Sequence, residues 1–257
     1  MGRLLRRWAV FVGLSALLGA AVFAPSAGAT HSWGGYHWAR TSNPFTVKLG
    51  DNVSGTWDSI LSTTSSDWSK SDVLDTTIVP GTANPRNCKA TRGQVQVCNS
   101  TYGNTGYLGV AQIWLSGSHI TQGTVKLNDT YFNTATYNTT AWRNLVSCQE
   151  VGHTFGLDHQ DENFTNPNLG TCMDYTNDPS TNQHPNQHDY DELGIIYAHL
   201  DSTTTLSGST AQSPAASADT PGEWGRLVAG SADHQAVATY ERDLGGGQKV
   251  VTFVVWA

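Results

Sequence analysis

The feature that most constrains the fold is a run of eleven residues, Gln149–His159, which reads QEVGHTFGLDH. The first part of this run fits the end of a helix. On that helix Gln149 and His153 are four residues apart, so their side chains project from one face, about one turn from each other. Glu150 is offset by about 100° and can reach a group bound beside them. The run therefore predicts a helix with a ligand-binding face near its carboxyl end.

Gly156 and His159 extend this arrangement beyond the helix. A glycine at this point lets the backbone leave the helix sharply, and the turn brings His159 back toward His153. Gln149, His153 and His159 then offer three metal ligands and leave a fourth position open for water. A catalytic zinc ion requires this arrangement.

Four positions of the run resemble the signature of the metzincin zinc peptidases, H-E-x-x-H-x-x-G-x-x-H. Glu150, His153, Gly156 and His159 match that signature in register. The resemblance covers roughly residues 40–200. It implies a metalloendopeptidase with zinc as its cofactor, a metal-activated water as nucleophile and Glu150 as the general base.

A second motif, Thr171–Tyr175, resembles the Met-turn that follows the metzincin signature. The resemblance implies that Met173 forms an apolar floor beneath the metal. It also implies a catalytic role for Tyr175, because the equivalent tyrosine of astacins and serralysins can touch the metal or the transition-state oxyanion. The tripeptide Met173-Asp174-Tyr175 is also similar to the sequence of the pappalysins at this point.

The remaining likeness concerns architecture. A last helix with Asp189 and Tyr197 is similar to the closing helix of matrixins, and the strand near 107–115 is expected to be the edge strand of a substrate cleft. An extended protein or peptide substrate would pair with that strand. The resemblance leaves the C-terminal tail without a counterpart.

Gln149 departs from the signature, because it stands where the first metal-binding histidine is expected. Its neutral carbonyl oxygen is a harder and weaker zinc ligand than an imidazole. Three alternatives follow. Gln149 binds the metal through Oε1, or His184 or His188 replaces it, or the metal is lost and the chain is an inactive secreted binding protein. Glu150 argues against the last alternative, since a glutamate has little structural purpose beside an apolar helix face.

The N-terminus predicts export. Three arginines precede an apolar run over residues 8–24, and residues 27–29 form an A-x-A cleavage site, so residues 1–29 fit a signal peptide. No other segment is apolar enough for a stable membrane anchor. After cleavage 11 basic side chains remain against 21 acidic ones, a net charge of −10 with histidine neutral. That charge argues against nucleic-acid binding, and we expect a secreted, extracellular monomer.

Four cysteines in an exported chain favour disulfide bonds. They allow three connectivities, of which we favour Cys88–Cys98, a short local loop, together with Cys148–Cys172. The second bond would join the start of the metal-binding run to the Met173 segment. No pair has zinc-ribbon spacing, so a cysteine metal site is not expected.

The periodicity of the chain predicts an α+β fold. Strands are expected at 45–49, 72–80, 94–98, 107–115 and 119–127, with helices at 54–69 (capped by Ser54), from Thr139 or Thr140 to about Gly152, and from Asn186 with Asp189 as capping partner. The last helix should bury a stripe that ends at Leu200.

The fold divides into three expected parts after the signal peptide. Residues 30–201 form the metzincin-like catalytic domain, 202–222 a linker rich in Ser, Thr, Ala and Pro, and 223–257 a β-hairpin. Thirty-five residues are few for an independent core. We expect the hairpin to dock on the main domain or to pair with a partner.

Residues 160–188 are expected to form a long polar loop. The Asp and Asn side chains within 158–178 can build a calcium site, although such residues more often make turns. His119, His199 and His234 are expected to be surface or hydrogen-bonded histidines rather than metal ligands.

Overall fold

The computed structural model of the protein describes residue 2 and residues 31–208, 218–231 and 237–257. The expected signal peptide, apart from Gly2, and His234 lie outside these residues. Within the described ranges, no helix combines the length and the apolar character that crossing a bilayer requires.

The described elements form an α+β fold. In chain order they are β1 (His37–Trp38), β2 (Phe45–Asn52), α1 (Thr56–Trp68), β3 (Leu74–Pro80), β4 (Gln94–Ser100), β5 (Tyr107–Ser116), β6 (His119–Asn128), α2 (Asp129–Phe132), α3 (Thr140–His153), α4 (Gln187–Ile196), a 3-10 turn at Pro221–Glu223, β7 (Arg226–Gly230), β8 (Ala238–Gly245) and β9 (Gln248–Trp256).

All nine strands belong to one mixed sheet, in the order β3-β2-β4-β6-β5-β9-β8-β7, with β1 beside β6. The strands from β3 to β6 pair in parallel, and those from β6 through β5 to β7 pair antiparallel. The C-terminal hairpin therefore joins the main sheet. The expectation that 107–115 is an edge strand is wrong, because β9 covers the free side of β5.

Side chains of β5 pack on both faces of this sheet, as alternation along a strand allows. Ile113 joins the main core, which includes residues of α1 and α3. Its neighbour Trp114 joins a second cluster with Trp224 and Val254 from the C-terminal segment. A strand buried on both faces is apolar throughout, which accounts for the strong apolar content of 107–115.

The predicted N-terminal capping residues are confirmed for two of the three helices. The Thr139 side chain accepts a hydrogen bond from the Trp142 amide at the start of α3, and Asn186 with Asp189 forms a capping box on α4. The Ser54 cap is wrong: α1 begins after Gly55 without a side-chain cap. The expected apolar stripe of α4 is also too long, because Leu200 lies beyond the helix and is 56 % exposed.

Both expected disulfide pairs, Cys88–Cys98 and Cys148–Cys172, are present, each with Cα atoms 5.9 Å apart. The second bond links α3 to the segment that carries Met173. Two disulfides suit a protein that matures in an oxidising compartment.

Candidate metal centre

The end of α3 and the turn after it bring the predicted metal-binding residues together. Gln149, Glu150 and His153 are buried, and α3 ends at His153. Gly156 has a φ of +96°, and a Cβ at this position would collide with the carbonyl oxygen of Tyr36, so the turn requires glycine. Beyond it the ring of His159 returns to 4.4 Å from the ring of His153, centroid to centroid.

His153 is held in the tautomer that suits metal binding. Its Nδ1 lies 2.9 Å from the Leu157 carbonyl oxygen, and because a carbonyl only accepts, Nδ1 carries the proton. Its Nε2 is buried and has no hydrogen-bond partner among the described residues. Burial, helped by the nearby His159, lowers the pKa of His153 to about 3. The ring is therefore neutral with a free lone pair, the form in which histidine binds metals.

Two neighbours of His153 on α3 also carry unpartnered polar atoms. Both carboxyl oxygens of Glu150 and the Nε2 of Gln149 are buried without a hydrogen bond within the described part of the chain. A half-turn of the Gln149 amide exchanges Nε2 for Oε1 with almost no change of shape. Unsatisfied buried polar atoms cost about 1–3 kcal/mol each. A cation with its bound water would satisfy this set, so these residues fit a zinc ion.

Strand β5 makes room for Glu150. A Cβ added at Gly109 would lie 2.6 Å from Glu150 Oε1 and 2.6 Å from Val146 Cγ1, so only glycine leaves this space. Burial raises the pKa of Glu150 well above its usual value, against a smaller opposing effect of the nearby Ala111 amide. A cation nearby would offset the burial and favour the carboxylate.

Tyr175 contacts the third predicted ligand. Its hydroxyl lies 2.6 Å from His159 Nε2. Burial by itself lowers the pKa of His159, but hydrogen bonds to Asp158 and Glu162 outweigh it, and the pKa ends above its usual value. Burial chiefly raises the pKa of Tyr175 well above 10, and the charges of Glu162 and Glu150 add to it. Tyr175 therefore keeps its proton, and His159 must lose its own to bind a metal.

Met173 packs against α3 at Gly152, the residue that precedes His153. It is fully buried, and a Cβ at Gly152 would be 2.8 Å from its sulfur. The Cys148–Cys172 bond and a hydrogen bond from the Gln160 amide to the Met173 carbonyl oxygen, 2.6 Å long, hold this segment in place. The thioether therefore packs against α3 at Gly152, and its place beneath a metal stays a prediction.

The two histidines considered as replacements for Gln149 are engaged elsewhere. His184 Nδ1 lies 2.6 Å from Asp67 Oδ2, and His188 stacks on His31 with ring centroids 4.8 Å apart. His31 itself is close enough for its charge to lower the pKa of His153.

His31 is a further candidate ligand, which no motif in the sequence indicates. Its Nε2 lies 3.1 Å from Asp189 Oδ1, and its Nδ1 is buried without a hydrogen bond in the described ranges. Its position two residues after the expected cleavage site was the available signal.

The polar loop uses its acidic side chains in turns. Asp161 Oδ1 accepts from the Asn163 amide at 2.6 Å, and Asp178 Oδ1 from the Ser180 amide at 3.0 Å. Asp174 Oδ2 accepts from the Leu169 amide at 2.8 Å. These contacts agree with the turn interpretation, and calcium binding stays a prediction.

The C-terminal strand lies over the site. Phe253 of β9 stacks parallel to the His153 ring, with centroids 4.3 Å apart. Beside this contact is a cavity of about 360 Å³ that Gln149, Tyr175 and Trp142 line together with residues 255–257. The position of Phe253 could not be predicted, because no local sequence pattern indicates which strand a C-terminal hairpin joins.

Neither the models of known protein families nor the curated proteins give a match to this chain. The function therefore has to be argued from the geometry and chemistry of the site.

Proposed function

We propose that the protein is a zinc-dependent endopeptidase of the metzincin type that acts outside the cell on proteins or peptides. The observation that carries this proposal is the set of buried atoms on Gln149, Glu150 and His153 that have no partner among the described residues, beside the returning ring of His159. Helix interiors rarely retain such atoms unless a ligand satisfies them. The Glu-x-x-His-x-x-Gly-x-x-His spacing supports the same conclusion.

His153 Nε2, His159 Nε2 and Gln149 Oε1 would hold the zinc. When bound, zinc supplies a water of lowered pKa and polarises the peptide carbonyl. The hydrogen bond from His153 Nδ1 to the Leu157 carbonyl oxygen, 2.9 Å long, fixes the ring in the required orientation. The Tyr175 hydroxyl would leave His159 Nε2 to make this position available.

Glu150 and Tyr175 would carry the proton chemistry. The Glu150 carboxylate takes the proton of the attacking water and delivers it to the leaving amine. Tyr175 stays protonated because of its raised pKa, so its hydroxyl can donate a hydrogen bond to the oxyanion. Both side chains are buried, which strengthens these electrostatic interactions.

The cavity beside Gln149 offers a place for a substrate side chain. Leu108, Trp142 and Leu145 give it apolar walls, and Gln149 and Tyr175 bring the polar groups to the same space. Because β9 pairs along β5, an extended peptide cannot add to β5 while β9 is in place.

The covered site favours one alternative, a secreted binding protein without turnover. The Phe253 ring shields the His153 ring, and Glu150 is fully buried. In that case the cavity would bind a ligand without hydrolysing it.

Glu150→Gln separates these two functions. We expect this variant to lose casein hydrolysis by about 10²–10⁴-fold while it keeps its zinc, because Glu150 is a base and not a ligand. Glu192→Gln is the matched control, since Glu192 is also buried on a helix with an oxygen that lacks a partner in the described chain. Casein hydrolysis absent from zinc-loaded wild type and both variants would count against the peptidase and favour the binding protein.

Gln149 and His31 compete as the third ligand, and zinc titration against a chelator distinguishes them. If Gln149 binds the metal, Gln149→Ala weakens zinc binding and Gln149→His tightens it, because imidazole is the better donor. His31→Asn then leaves the affinity unchanged. The opposite result, with only His31→Asn weakened, would assign the ligand to the buried Nδ1 of His31.

A further inference from the structure

Three histidines and one aspartate meet at a second place in the fold. His37 of β1 and His119 of β6 are partners in the parallel register of these strands. His199 and Asp201 follow α4 and approach the same point, and the His37 and His199 rings have centroids 4.6 Å apart. The cluster therefore joins three segments that are distant in sequence. His119 and His199 are hydrogen-bonded, as expected from the sequence, through contacts with Asp201 and His37.

The donor atoms of His37, His199 and Asp201 are spaced as ligands of one ion, since all three lie within 4.8 Å of one another. Asp201 Oδ1 lies 3.2 Å from His119 Nε2, 3.6 Å from His37 Nε2 and 3.8 Å from His199 Nε2. His37 Nε2 and His199 Nε2 are 3.2 Å apart. Zinc–nitrogen bonds of about 2.0–2.1 Å at tetrahedral angles place donors about 3.3 Å from one another. The three separations among His37, His199 and Asp201 lie within half an ångström of that value, whereas His119 lies outside this group of three and contacts it through Asp201.

His37 turns a lone pair toward the centre of the cluster. Its Nδ1 lies 2.8 Å from the Gly35 carbonyl oxygen, so Nδ1 carries the proton and the neutral ring has its lone pair on Nε2. That lone pair faces the carboxylate of Asp201, which can only accept. A cation between the two acceptors would bond to both.

Asp201 is also oriented by the protein. Its Oδ2 accepts hydrogen bonds from Arg40 Nη1 at 2.9 Å and from the Arg40 amide at 3.2 Å, which leaves Oδ1 for the histidines. Arg40 is fully buried, so this support is rigid. His199 is half-exposed and His119 about one-third exposed at the side chain, which gives an ion a path from solvent. Such outer contacts commonly orient metal ligands.

We propose that His37, His199 and Asp201 hold a second zinc ion with a structural role. Two imidazole nitrogens and one carboxylate oxygen suit zinc, and His119 stands beside them, paired with Asp201. The bound ion would tie β1 to the segment after α4, independently of the Gln149 centre.

Zinc content of the full-length mature protein tests this proposal. After zinc loading and gel filtration, elemental analysis should find two zinc ions per wild-type chain and one in His199→Asn. His184→Asn is the matched control and should keep two, because His184 is equally exposed and also pairs with an aspartate. His153→Asn should lose the other ion. If His153→Asn loses nothing but His199→Asn still loses one, the proposed catalytic zinc is wrong and the second site stands.

Thermal unfolding gives an independent readout. Zinc added to metal-free His153→Asn should raise its melting temperature, and the rise should vanish in the double variant with His199→Asn. If His199→Asn fails to fold by circular dichroism, His37→Gln takes its place in both measurements. A folded variant that binds as much zinc as wild type, with the same melting shift, overturns the proposal and leaves a hydrogen-bonded histidine cluster.

Discussion

Gly109→Ala tests whether β5 determines the position of Glu150. The added Cβ would lie 2.6 Å from both Glu150 Oε1 and Val146 Cγ1, about 1 Å closer than an ordinary van der Waals contact. Overpacking of this kind costs about 1–3 kcal/mol. For a chain of this size, a loss of about 2 kcal/mol lowers the melting temperature by roughly 4–8 °C. Relief of the clash must move Glu150, so casein hydrolysis per folded molecule should fall as well.

The control for this substitution lies on the neighbouring strand. A Cβ at Gly123 would be 3.3 Å from Val95 Cγ2 and 3.4 Å from the Gln112 carbonyl oxygen, so Gly123→Ala should cost less and leave hydrolysis unchanged. Thermal unfolding and initial rates, both at saturating zinc, measure the two effects. A Gly109→Ala protein that melts and hydrolyses casein like wild type would refute the claim that this glycine makes room for the base.

Three further outcomes are expected. Replacing Cys148 and Cys172 together by serine should destabilise the protein by about 3 kcal/mol, because the bond closes a loop with a sequence separation of 24; an unchanged urea midpoint would contradict this. Phe253→Ala should raise casein hydrolysis per folded molecule by uncovering His153, whereas Val254→Ala, whose side chain packs in the other cluster, should not; equal rates would show that β9 does not restrict access. In zinc-free protein the pKa of Glu150 is raised by folding, so protonation of its carboxyl stabilises the fold. This contribution is complete below about pH 4 and is lost as the pH rises through the folded-state pKa. The stability of Glu150→Gln relative to wild type should therefore increase from pH 4 to pH 8 in urea titrations, and a constant difference would argue against a buried, unpaired carboxyl.

Local signals in the sequence predicted the parts of the fold that depend on near neighbours. The cap at Thr139, the capping box of Asn186 and Asp189, and the hairpin that contains β9 each follow from a few adjacent residues. The convergence of His153 and His159 was also predictable, because one helix end and one glycine turn produce it.

Contacts between distant segments could not be predicted in this way. Pairing of β9 with β5 depends on which strand edge remains free after the rest of the sheet has formed, and no periodicity encodes that choice. For the same reason the stacking of Phe253 on His153 could not be predicted. His37, His119 and His199 carry no motif spacing at all, since the fold alone brings them together.

The pairing of β5 with β9 has a consequence for how the chain reaches its native state. Gln112 of β5 and Thr252 of β9 are hydrogen-bonded although they are 140 residues apart in the sequence. During synthesis β5 therefore emerges long before the strand with which it pairs. Contacts of such long range slow folding. Until β9 arrives, an apolar strand presents unpaired backbone groups along one edge, and exposed edges of this kind pair with other chains. A chain that loses its last ten residues should therefore aggregate, even though every residue of the Gln149 centre is still present.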